Sequence, residues 1–434
     1  MEKRFVMERA TELRNIVRVT KPEPLKDENF KKFFVETDEA RGINAASMLS
    51  DFFSINRDEP QKVLFLGHRG SGKSTELFRF GEYLKDEFRI INFSIKDEAD
   101  VADLEYSDLI FIILRKLYQQ AKNDEIAINE HVLSNLDHYW HDKTLIESLR
   151  IEKAVAEADI TVKGGFWGFI SAHVKGIFSI GSETKKVVRD FIRPRLSQLL
   201  INANNVIDDI TTQYGKRGKV PLLVIEDLDK LDLAIAEDLF LKRKNILTAF
   251  NIHVVYTFPI FLHYSEKFNE IESAFDHYEL LSMIKVKEVT GERCRRGHEI
   301  IRNIVRKRAD LNLFEPEALD YAIEKSGGSL RHLFEVLQNA VLDIRVRNRE
   351  AQKIDRQAVE NAYKKLRSYF ERTITADHLL ILKSVHESAD KKPTADGTLK
   401  ELLNCMAVIE YNGDRWCDLH PAVADILREK GDIE

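Results

Sequence analysis

The sequence predicts an α/β fold, in which a parallel β-sheet carries helices on both faces and precedes a helical subdomain and a small mixed module. Between residues 62 and 289, short apolar runs alternate with helical patterns, which is typical of a parallel sheet. From Gly291 to residue 372 the pattern is helical throughout. After Arg372, short helices precede two β runs joined by Asn412-Gly413, a dipeptide that strongly favours a hairpin turn. Helices followed by a hairpin predict a winged-helix module.

A glycine-rich loop, Gly67-x-x-x-x-Gly72-Lys73-Ser74, directly follows the apolar run 63–66 and precedes a helical segment. Glycines let backbone N–H groups converge on phosphate oxygens, and the helix N-terminus adds partial positive charge. We expect Lys73 to reach the β- and γ-phosphates of a nucleotide and the Ser74 hydroxyl to bind Mg²⁺. The residues predicted to bind the nucleotide are Gly67, His68, Arg69, Gly70, Ser71, Gly72, Lys73, Ser74 and Thr75.

The other elements are predicted from hydrophobic period and composition. An insertion at about 122–218 separates the first two strands from the rest, with a hairpin near 164–181 and a long helix bent near Pro194. The predicted strands are 62–66, 89–95, 222–225, 252–258 and about 280–289; the predicted helices between them are 74–85, 103–121, 184–213 and 234–250. Further helices are predicted at 293–308, 316–326, 329–349, 356–370, 376–388 and 398–404.

Polar residues follow two of the predicted strands, at the edge where ligands of parallel sheets bind. Glu226 and Asp227 end an apolar strand and are candidates for Mg²⁺ binding and water activation, and Asp229 is expected to brace the loop. The next strand ends in Thr257, whose hydroxyl is a candidate contact for the γ-phosphate or the attacking water. Arg331, at the start of a helix after Gly327-Gly328, is a candidate to reach the same phosphate.

The stretches GHRGSGKS, LLVIEDLD, VVYTFP and GGSLRHL, in this order and before a winged-helix pattern, resemble the AAA+ superfamily of P-loop ATPases. Within it, the chain is most similar to the origin-recognition-like and STAND branches; KAP-type NTPases, which also carry insertions here, are another relative. The resemblance places Lys73 and Ser74 in Walker A and Glu226-Asp227 in Walker B, with Thr257 at sensor 1 and Arg331 at sensor 2. It also implies ATP or ADP with Mg²⁺ as ligands, Ser74 and Glu226 as metal ligands, and the segment 33–42 around the adenine.

Two departures from the AAA+ pattern bear on activity. The Walker B order is Glu then Asp; if Asp227 takes the usual glutamate position, its side chain is one methylene shorter and reaches water less well. Between Phe258 and Glu292 there is no arginine to serve as a finger, although Arg293, Arg295 and Arg296 follow. Both departures favour slow hydrolysis and a nucleotide-controlled switch over a processive motor.

Bulk composition describes an ordinary globular chain of 434 residues, with 44% hydrophobic and 32% charged residues and a net charge of −6. Three cysteines without a C-x-x-C pair support neither a disulfide framework nor a zinc ribbon, so we expect a reducing, cytoplasmic location. No membrane span is expected, since the nearest apolar stretch, 164–181, is interrupted by His173 and Lys175.

Nucleic-acid binding is an open alternative. Residues 373–434 hold 7 Lys/Arg against 12 Asp/Glu, which disfavours DNA binding through the winged helix. Basic residues concentrate instead in the helical subdomain, at 293–308 and 345–349. They form either a binding surface for DNA or RNA or an ordinary solvent-exposed helix face. His131, His138 and His141 have spacing compatible with a metal site, but the favoured interpretation is that they are exposed histidines without a metal.

We therefore expect an ATP-binding, slowly hydrolysing switch that gates a protein partner or an assembly; the resemblance implies a role in prokaryotic defence or signalling. The alternatives are an origin-recognition-like, ATP-dependent DNA-binding protein and a P-loop scaffold that does not hydrolyse. The expected domains are an N-terminal extension (1–32), an AAA+ α/β nucleotide-binding domain (33–290), a helical lid (291–372) and a winged helix (373–434).

Overall fold

The computed structural model describes residues 6–140, 167, 183–388, 390–393, 397–411 and 416–434. At its centre is a five-stranded parallel sheet with the order β2-β3-β4-β1-β5. The strands are β1 (Lys62–Leu66), β2 (Phe88–Ser94), β3 (Val220–Glu226), β4 (His253–Phe258) and β5 (His277–Leu280).

Alternation of apolar residues along each strand divides the core between the two faces of the sheet. In β1, Val63 and Phe65 pack on one face, against the helices before and after the strand, while Leu64 and Leu66 pack on the other. Because both faces are covered, the strands are nearly continuous apolar runs. The helices that precede or cover the sheet are α1 (Leu13–Val19), α2 (Asp27–Phe33), α3 (Asp38–Arg41), α4 (Ala45–Ile55), α5 (Lys73–Leu84), α6 (Tyr106–Asn123), α7 (Glu130–Trp140), α8 (Glu183–Ile192) and α9 (Leu196–Gly215).

The predicted bend in the long insertion helix is confirmed. A short 3₁₀ turn, Arg193–Arg195, separates α8 from α9, because Pro194 cannot continue the α-helical hydrogen bonds. Only Trp167 is described between residues 141 and 182, and its ring stacks on Tyr118 with centroids 4.4 Å apart. The hairpin predicted near 164–181 otherwise lies outside the described residues, as does His141.

Two predicted elements near the sheet differ in the structure. The single helix predicted at 234–250 is divided into α10 (Leu233–Glu237), a π-helical stretch (Asp238–Lys242) and α11 (Lys244–Leu247). The last strand, predicted at 280–289, was wrong: β5 spans His277–Leu280 and ends where the prediction began. The apolar residues that suggested a strand there, including Met283, Ile284 and Val286, are buried outside the sheet, and Met283 packs with the C-terminal module.

A lid of four helices follows the sheet. Their order and lengths agree with the prediction, because each has an apolar stripe at helical spacing. Two short helices, α12 (Ile260–His263) and α13 (Phe268–Glu272), precede β5; the lid comprises α14 (Arg295–Arg308), α15 (Pro316–Lys325), α16 (Leu330–Arg347) and α17 (Arg356–Thr373).

The C-terminal module has the predicted winged-helix order of helices and a two-stranded antiparallel hairpin. The predicted turn at Asn412-Gly413 lies outside the described residues, between two antiparallel strands in which Val408 pairs with Leu419 and Glu410 with Cys417. The elements are α18 (Leu379–Glu387), α19 (Gly397–Asn404), β6 (Val408–Glu410), β7 (Cys417–Leu419) and α20 (Pro421–Glu429).

The winged-helix module is docked on both other parts of the molecule. Its helix α19 packs against α12, and Lys400 of α19 pairs with Glu237 of the sheet domain at 3.3 Å. On the lid side, Asp425 accepts hydrogen bonds from Lys325 and Tyr363, each at 2.8 Å. Helix α19 therefore makes packing contacts within the chain in this arrangement.

Candidate functional site

A cleft lies where the glycine loop, the carboxyl ends of the sheet and the lid meet. The glycine loop, β3 and β4 form one wall, the lid helices α14 and α16 form the second, and the N-terminal segment 22–24 forms the third. Its lining residues are Pro22, Glu23, Pro24, Arg69, Gly70, Gly72, Lys73, Ser74, Thr75, Asp227, Asp229, Lys230, Thr257, Arg308, Leu330, Arg331 and Phe334.

The glycine loop requires glycine at three positions. Gly67, Gly70 and Gly72 have positive φ angles of 147°, 83° and 101°. A Cβ on Gly67 would lie 2.6 Å from the carbonyl oxygen of Leu281, and one on Gly70 would lie 2.8 Å from Cβ of Arg331. Gly72 is the N-cap of α5, so the loop ends in the helix N-terminus that the sequence predicted.

Lys73 lies at the centre of the site. Its ammonium donates to the carbonyl oxygens of Gly67 and His68, at 2.6 and 2.9 Å, and pairs with Asp229 at 2.9 Å. Burial, together with the neighbouring charges of Lys230 and Arg331, lowers the pKa of Lys73 against the opposing effect of Asp229. Asp229 therefore has the bracing position that the sequence suggested, with a direct ion pair to the loop lysine.

The turn after β3 holds Asp227 in a left-handed conformation with φ of 72°. Its carboxylate accepts a hydrogen bond from the Ser94 hydroxyl at 2.6 Å and pairs with Lys230. Burial favours the neutral acid, but the hydrogen bonds from Lys230 and Ser94 outweigh it and hold the pKa of Asp227 below its usual value. Asp227 is thus an ionised carboxylate at the cleft wall, as a water-orienting group requires.

Thr257 is fixed to the same turn. Its hydroxyl donates to the carbonyl oxygen of Ile225 at 3.2 Å and accepts from the backbone N–H of Leu228 at 3.0 Å. The side chain is buried but contributes to the cleft lining. In this arrangement the hydroxyl positions the Walker B turn relative to β4, and the sensor role remains a prediction.

Glu226 is the last residue of β3, and it is not among the residues that line the cleft. Its carboxylate pairs with Lys26 of the N-terminal segment at 3.4 Å. The neighbouring Leu25 donates its backbone N–H to the Thr75 hydroxyl at 3.1 Å. The segment before α2 therefore covers the start of α5 and neutralises the carboxylate that was predicted to bind Mg²⁺.

The lid contacts the loop directly through the start of α16. Arg331 lines the cleft, and its buried Nε has no hydrogen-bond partner within the described part of the chain. The charge of Arg331 acts on Lys73, so the two cations face a common space. This placement agrees with the prediction that Arg331 reaches the phosphate region from the lid.

The ring of His68 faces away from the cleft. Its Nε2 accepts a hydrogen bond from the backbone N–H of Glu410 in β6 at 2.8 Å. Burial and the charge of Lys73 lower the pKa of His68 to about 3, so the ring is neutral and able to accept. His68 was predicted as a nucleotide contact; its side chain instead joins the loop to the winged-helix module.

Sequence reasoning missed two groups that position the site: Arg41, which contacts the glycine loop, and Ser94, which contacts Asp227. Arg41, buried at the end of α3, donates to the backbone oxygens of Ser71 (2.6 Å) and Ser282 and to the Thr37 hydroxyl (2.7 Å). It belongs to the segment 33–42, but no motif separates it from surface arginines. Ser94, the partner of Asp227, could have been found, because it ends the strand that neighbours β3.

The residues of the cleft fit a magnesium nucleotide. The loop has the close backbone approach that phosphates need. Arg69 and Arg331 line the cleft, and the buried Nε of each has no hydrogen-bond partner among the described residues. A polyphosphate supplies the negative charge that these groups and Lys73 can bind. The described residues contain no group of three or more His, Cys, Asp or Glu side chains arranged to hold a metal ion on their own. Mg²⁺ at this site therefore depends on ligands from the nucleotide and water as well as the protein.

Other predicted features are neutralised or outside the cleft. His131 and His138 are exposed on α7, and the ring of His138 contacts the carbonyl oxygen of Ser134. In the lid, Arg293 and Arg302 pair with Asp320, while Arg296 pairs with Glu39. No helix in the described part of the chain is both long and apolar enough to cross a membrane.

Together, the strand order, the glycine loop after β1, the helical lid and the winged-helix module define a P-loop fold of the AAA+ type. No family profile matches the sequence, and no curated protein matches it significantly.

Among solved structures, the chain is similar to Orc1 of Aeropyrum pernix in complex with DNA, with 12% identity, a TM-score of 0.39 and coverage of 96% of both chains. It is also similar to a Walker-type ATPase of Pyrococcus abyssi, with 13% identity, a TM-score of 0.46 and coverage of 94% of this chain and 99% of the other. Cdc6p of Pyrobaculum aerophilum is 10% identical, with a TM-score of 0.41 and coverage of 95% and 98%.

Proposed function

We propose that the protein is an ATP-binding and slowly hydrolysing switch, in which the nucleotide determines how the lid and the winged-helix module pack on the sheet domain. The observation that carries this proposal is that the glycine loop contacts both the lid and the winged-helix module. Gly70 packs against Arg331 of the lid, and His68 accepts a hydrogen bond from Glu410 of the winged helix. A ligand that alters the loop therefore acts on both contacts at once.

Each side chain has a defined part in this proposal. Lys73 and the loop N–H groups hold the phosphates, while Ser74 and Glu226 are the proposed protein ligands of Mg²⁺. When bound, the metal neutralises phosphate charge. Asp227 orients the attacking water, and Thr257 keeps the Asp227 turn in register with β4. Arg331 connects the bound phosphates to the lid.

Slow turnover follows from the hydrogen bonds of Asp227. Ser94 and Lys230 occupy its carboxylate, and its side chain is one methylene shorter than the glutamate usual at this position. Both features reduce its reach and its basicity toward water. The pairing of Lys26 with Glu226 adds a second requirement, because Lys26 must be displaced before Glu226 can bind a cation.

The packing of the winged helix supports a switch that acts on a protein partner. Helix α19, which would enter a DNA groove, packs one face against α12, and its Lys400 is paired with Glu237. In the first lid helix, Arg296 and Arg302 pair with carboxylates, whereas Arg295, Arg306 and Lys307 are exposed. These contacts hold α19 within the chain, which disfavours DNA binding through the winged helix in this arrangement.

Hydrogen exchange provides the test, because the His68 to Glu410 bond involves one identifiable amide. We expect protection at 408–411 and at the start of α16 to differ between the nucleotide-free, ADP and ATP states of the wild-type chain. Lys73→Ala should abolish the differences by removing the phosphate contact. Identical exchange in all states, despite saturating nucleotide, would contradict the switch.

The DNA-binding alternative has a separate test. Binding to random duplex DNA at two salt concentrations measures whether phosphate contacts contribute. We expect weak binding that does not depend on ATP. Steeply salt-dependent binding that requires ATP would favour the origin-recognition-like function.

A further inference from the structure

A second arginine from the lid faces the nucleotide cleft. Arg308 is the last residue of α14, and its side chain lines the cleft together with Lys73 and Arg331. It is only 4% exposed, although it belongs to a cluster of basic residues that is otherwise at the surface. Arg308 belongs to none of the predicted parts of the site, which are the glycine loop, the acidic end of β3 and the two sensor positions.

The contacts of Arg308 leave part of its guanidinium group without a partner. One terminal nitrogen donates to the carbonyl oxygen of Val19 at 2.9 Å. The guanidinium carbon lies 4.8 Å from the centroid of the Phe334 ring. Its buried Nε has no hydrogen-bond partner, and no carboxylate forms an ion pair with it, within the described part of the chain. A buried guanidinium is normally paired, so this group has unused capacity for an anion.

The charge balance of the cleft points to the same kind of ligand. Burial lowers the pKa of Arg308 to about 10, which shows that its surroundings do not compensate its charge. Phe334, on which Arg308 packs, lies one helical turn after Arg331 on the same face of α16. Two lid cations from two helices are thereby directed to the space that also holds Lys73 and Arg69.

We propose that Arg308 binds the polyphosphate of the nucleotide, as a second lid arginine beside Arg331. This assignment rests on the function proposed above and extends it. A planar guanidinium can donate two parallel hydrogen bonds to phosphate oxygens, so α14 as well as α16 would be held by the ligand. Since Arg308 also holds Val19, phosphate binding is transmitted to the N-terminal segment that covers the cleft.

A purely structural role for Arg308 makes a different prediction. If it only holds Val19 and packs on Phe334, its loss lowers the stability of the free protein and leaves phosphate affinity unchanged. Arg308→Met keeps an apolar chain against Phe334 and removes the charge. Arg306→Met is the matched control, because Arg306 is exposed on the same helix and does not line this cleft.

The experiment uses the full chain and two probes, ATP with Mg²⁺ and inorganic tripolyphosphate, which has no base. Affinity is measured by calorimetry, and the ligand-induced rise in Tm is measured beside it. Arg308→Met is expected to lower the affinity for both ligands about tenfold to a hundredfold and to reduce the ligand-induced rise in Tm. Arg306→Met is expected to bind both ligands like the wild type.

Arg308→Lys is the alternative variant if Arg308→Met does not fold. Lysine can still donate a hydrogen bond to the carbonyl oxygen of Val19, but it lacks the planar guanidinium group. This variant should bind tripolyphosphate about tenfold more weakly than the wild type. Wild-type affinity in the Arg308 variants would overturn this assignment alone. A wild-type chain that binds neither probe would overturn the proposed function and this assignment with it.

Discussion

The ammonium of Lys73 lies 2.9 Å from the carboxylate of Asp229, and both side chains are nearly inaccessible to water. The lysine that is proposed to bind phosphate is therefore already paired with an acid from the Walker B turn. Phosphate binding requires the ammonium to leave or share this partner. The ion pair stabilises the nucleotide-free loop and opposes nucleotide binding at the same time.

Asp229→Asn is expected to separate these two effects. The free protein should lose about 3 kcal/mol of unfolding free energy, because a buried ammonium loses its counter-ion. ATP affinity should rise by about tenfold, since Lys73 no longer gives up an ion pair, and the ATP-induced rise in Tm should grow accordingly.

Chemical denaturation and calorimetry measure both quantities. Asp238→Asn is the control, because Asp238 is a partly exposed acid of the π-helical stretch and does not line the cleft. Weaker ATP binding in Asp229→Asn would show that this carboxylate assists the nucleotide, for example through its metal.

Asp227→Asn tests whether the chain hydrolyses ATP through the proposed group. Asparagine tolerates the left-handed backbone at this position, so the turn should be retained. Phosphate release should fall by about a hundredfold or more, because an amide cannot accept a proton from water. ATP affinity should change little.

Phosphate release and equilibrium binding are measured on the same preparations, with Asp232→Asn as a control for loss of a nearby acid. Unchanged phosphate release in Asp227→Asn would favour the P-loop scaffold that binds nucleotide without hydrolysing it.

The sequence predicted the sheet and the loop well because both depend on local signals. Apolar runs define β1, β3 and β4, and the glycine spacing defines the turn that α5 requires. The strand predicted at 280–289 failed because buried residues such as Met283 have the same apolar pattern whether they pack in a sheet or against another module.

Long-range pairs explain what else was missed in the site. His68 to Glu410 and Lys26 to Glu226 join residues separated by 342 and 200 positions, and no local pattern marks either pair. Arg308 resembled its exposed neighbours, because burial of one helix face is decided by how the lid packs. Residue type and spacing identified the phosphate loop, whereas tertiary packing assigned partners to its side chains.

Gly70→Ala is expected to disturb the contact between the loop and the lid. A Cβ at this position would lie 2.8 Å from Cβ of Arg331, and the backbone has a positive φ of 83°. The left-handed conformation alone costs about 1 to 2 kcal/mol for an alanine, and the clash adds to this cost. ATP affinity should fall because Arg331 is displaced from the cleft.

Gly218→Ala is the matched control, since Gly218 has a φ of 72° and nothing within 4 Å of the added Cβ. It should show the conformational cost without the clash. Equal losses of unfolding free energy and equal ATP affinities in the two variants would show that the lid does not press on the loop in solution.

The last prediction concerns two buried histidines between the lid and the winged helix. Nδ1 of His332 and Nε2 of His420 are 3.0 Å apart, and Nδ1 of His420 accepts from the backbone N–H of Ala422 at 3.1 Å. His420 Nδ1 is therefore unprotonated, so its Nε2–H donates to His332. Adding a proton to either ring requires one of these bonds to be broken.

Burial, followed by the charge of Arg331, lowers the pKa of His332 from 6.5 to about 4. Burial also lowers the pKa of His420 well below its usual value, assisted by His332, Lys287 and Lys325. Below pH 6.5 the unfolded chain binds more protons than the folded one, so stability is complete above that pH and falls as the pH decreases toward 4.

We expect His332 alone to account for about 2 kcal/mol of the stability lost between pH 7 and pH 5. His332→Gln keeps an acceptor for His420 but does not titrate, so its unfolding free energy should decrease less over this interval. His131→Gln, at an exposed position, should follow the wild type. Denaturant unfolding at both pH values measures the difference, and parallel losses in the wild type and His332→Gln would show that the histidine pair is not the source of acid sensitivity.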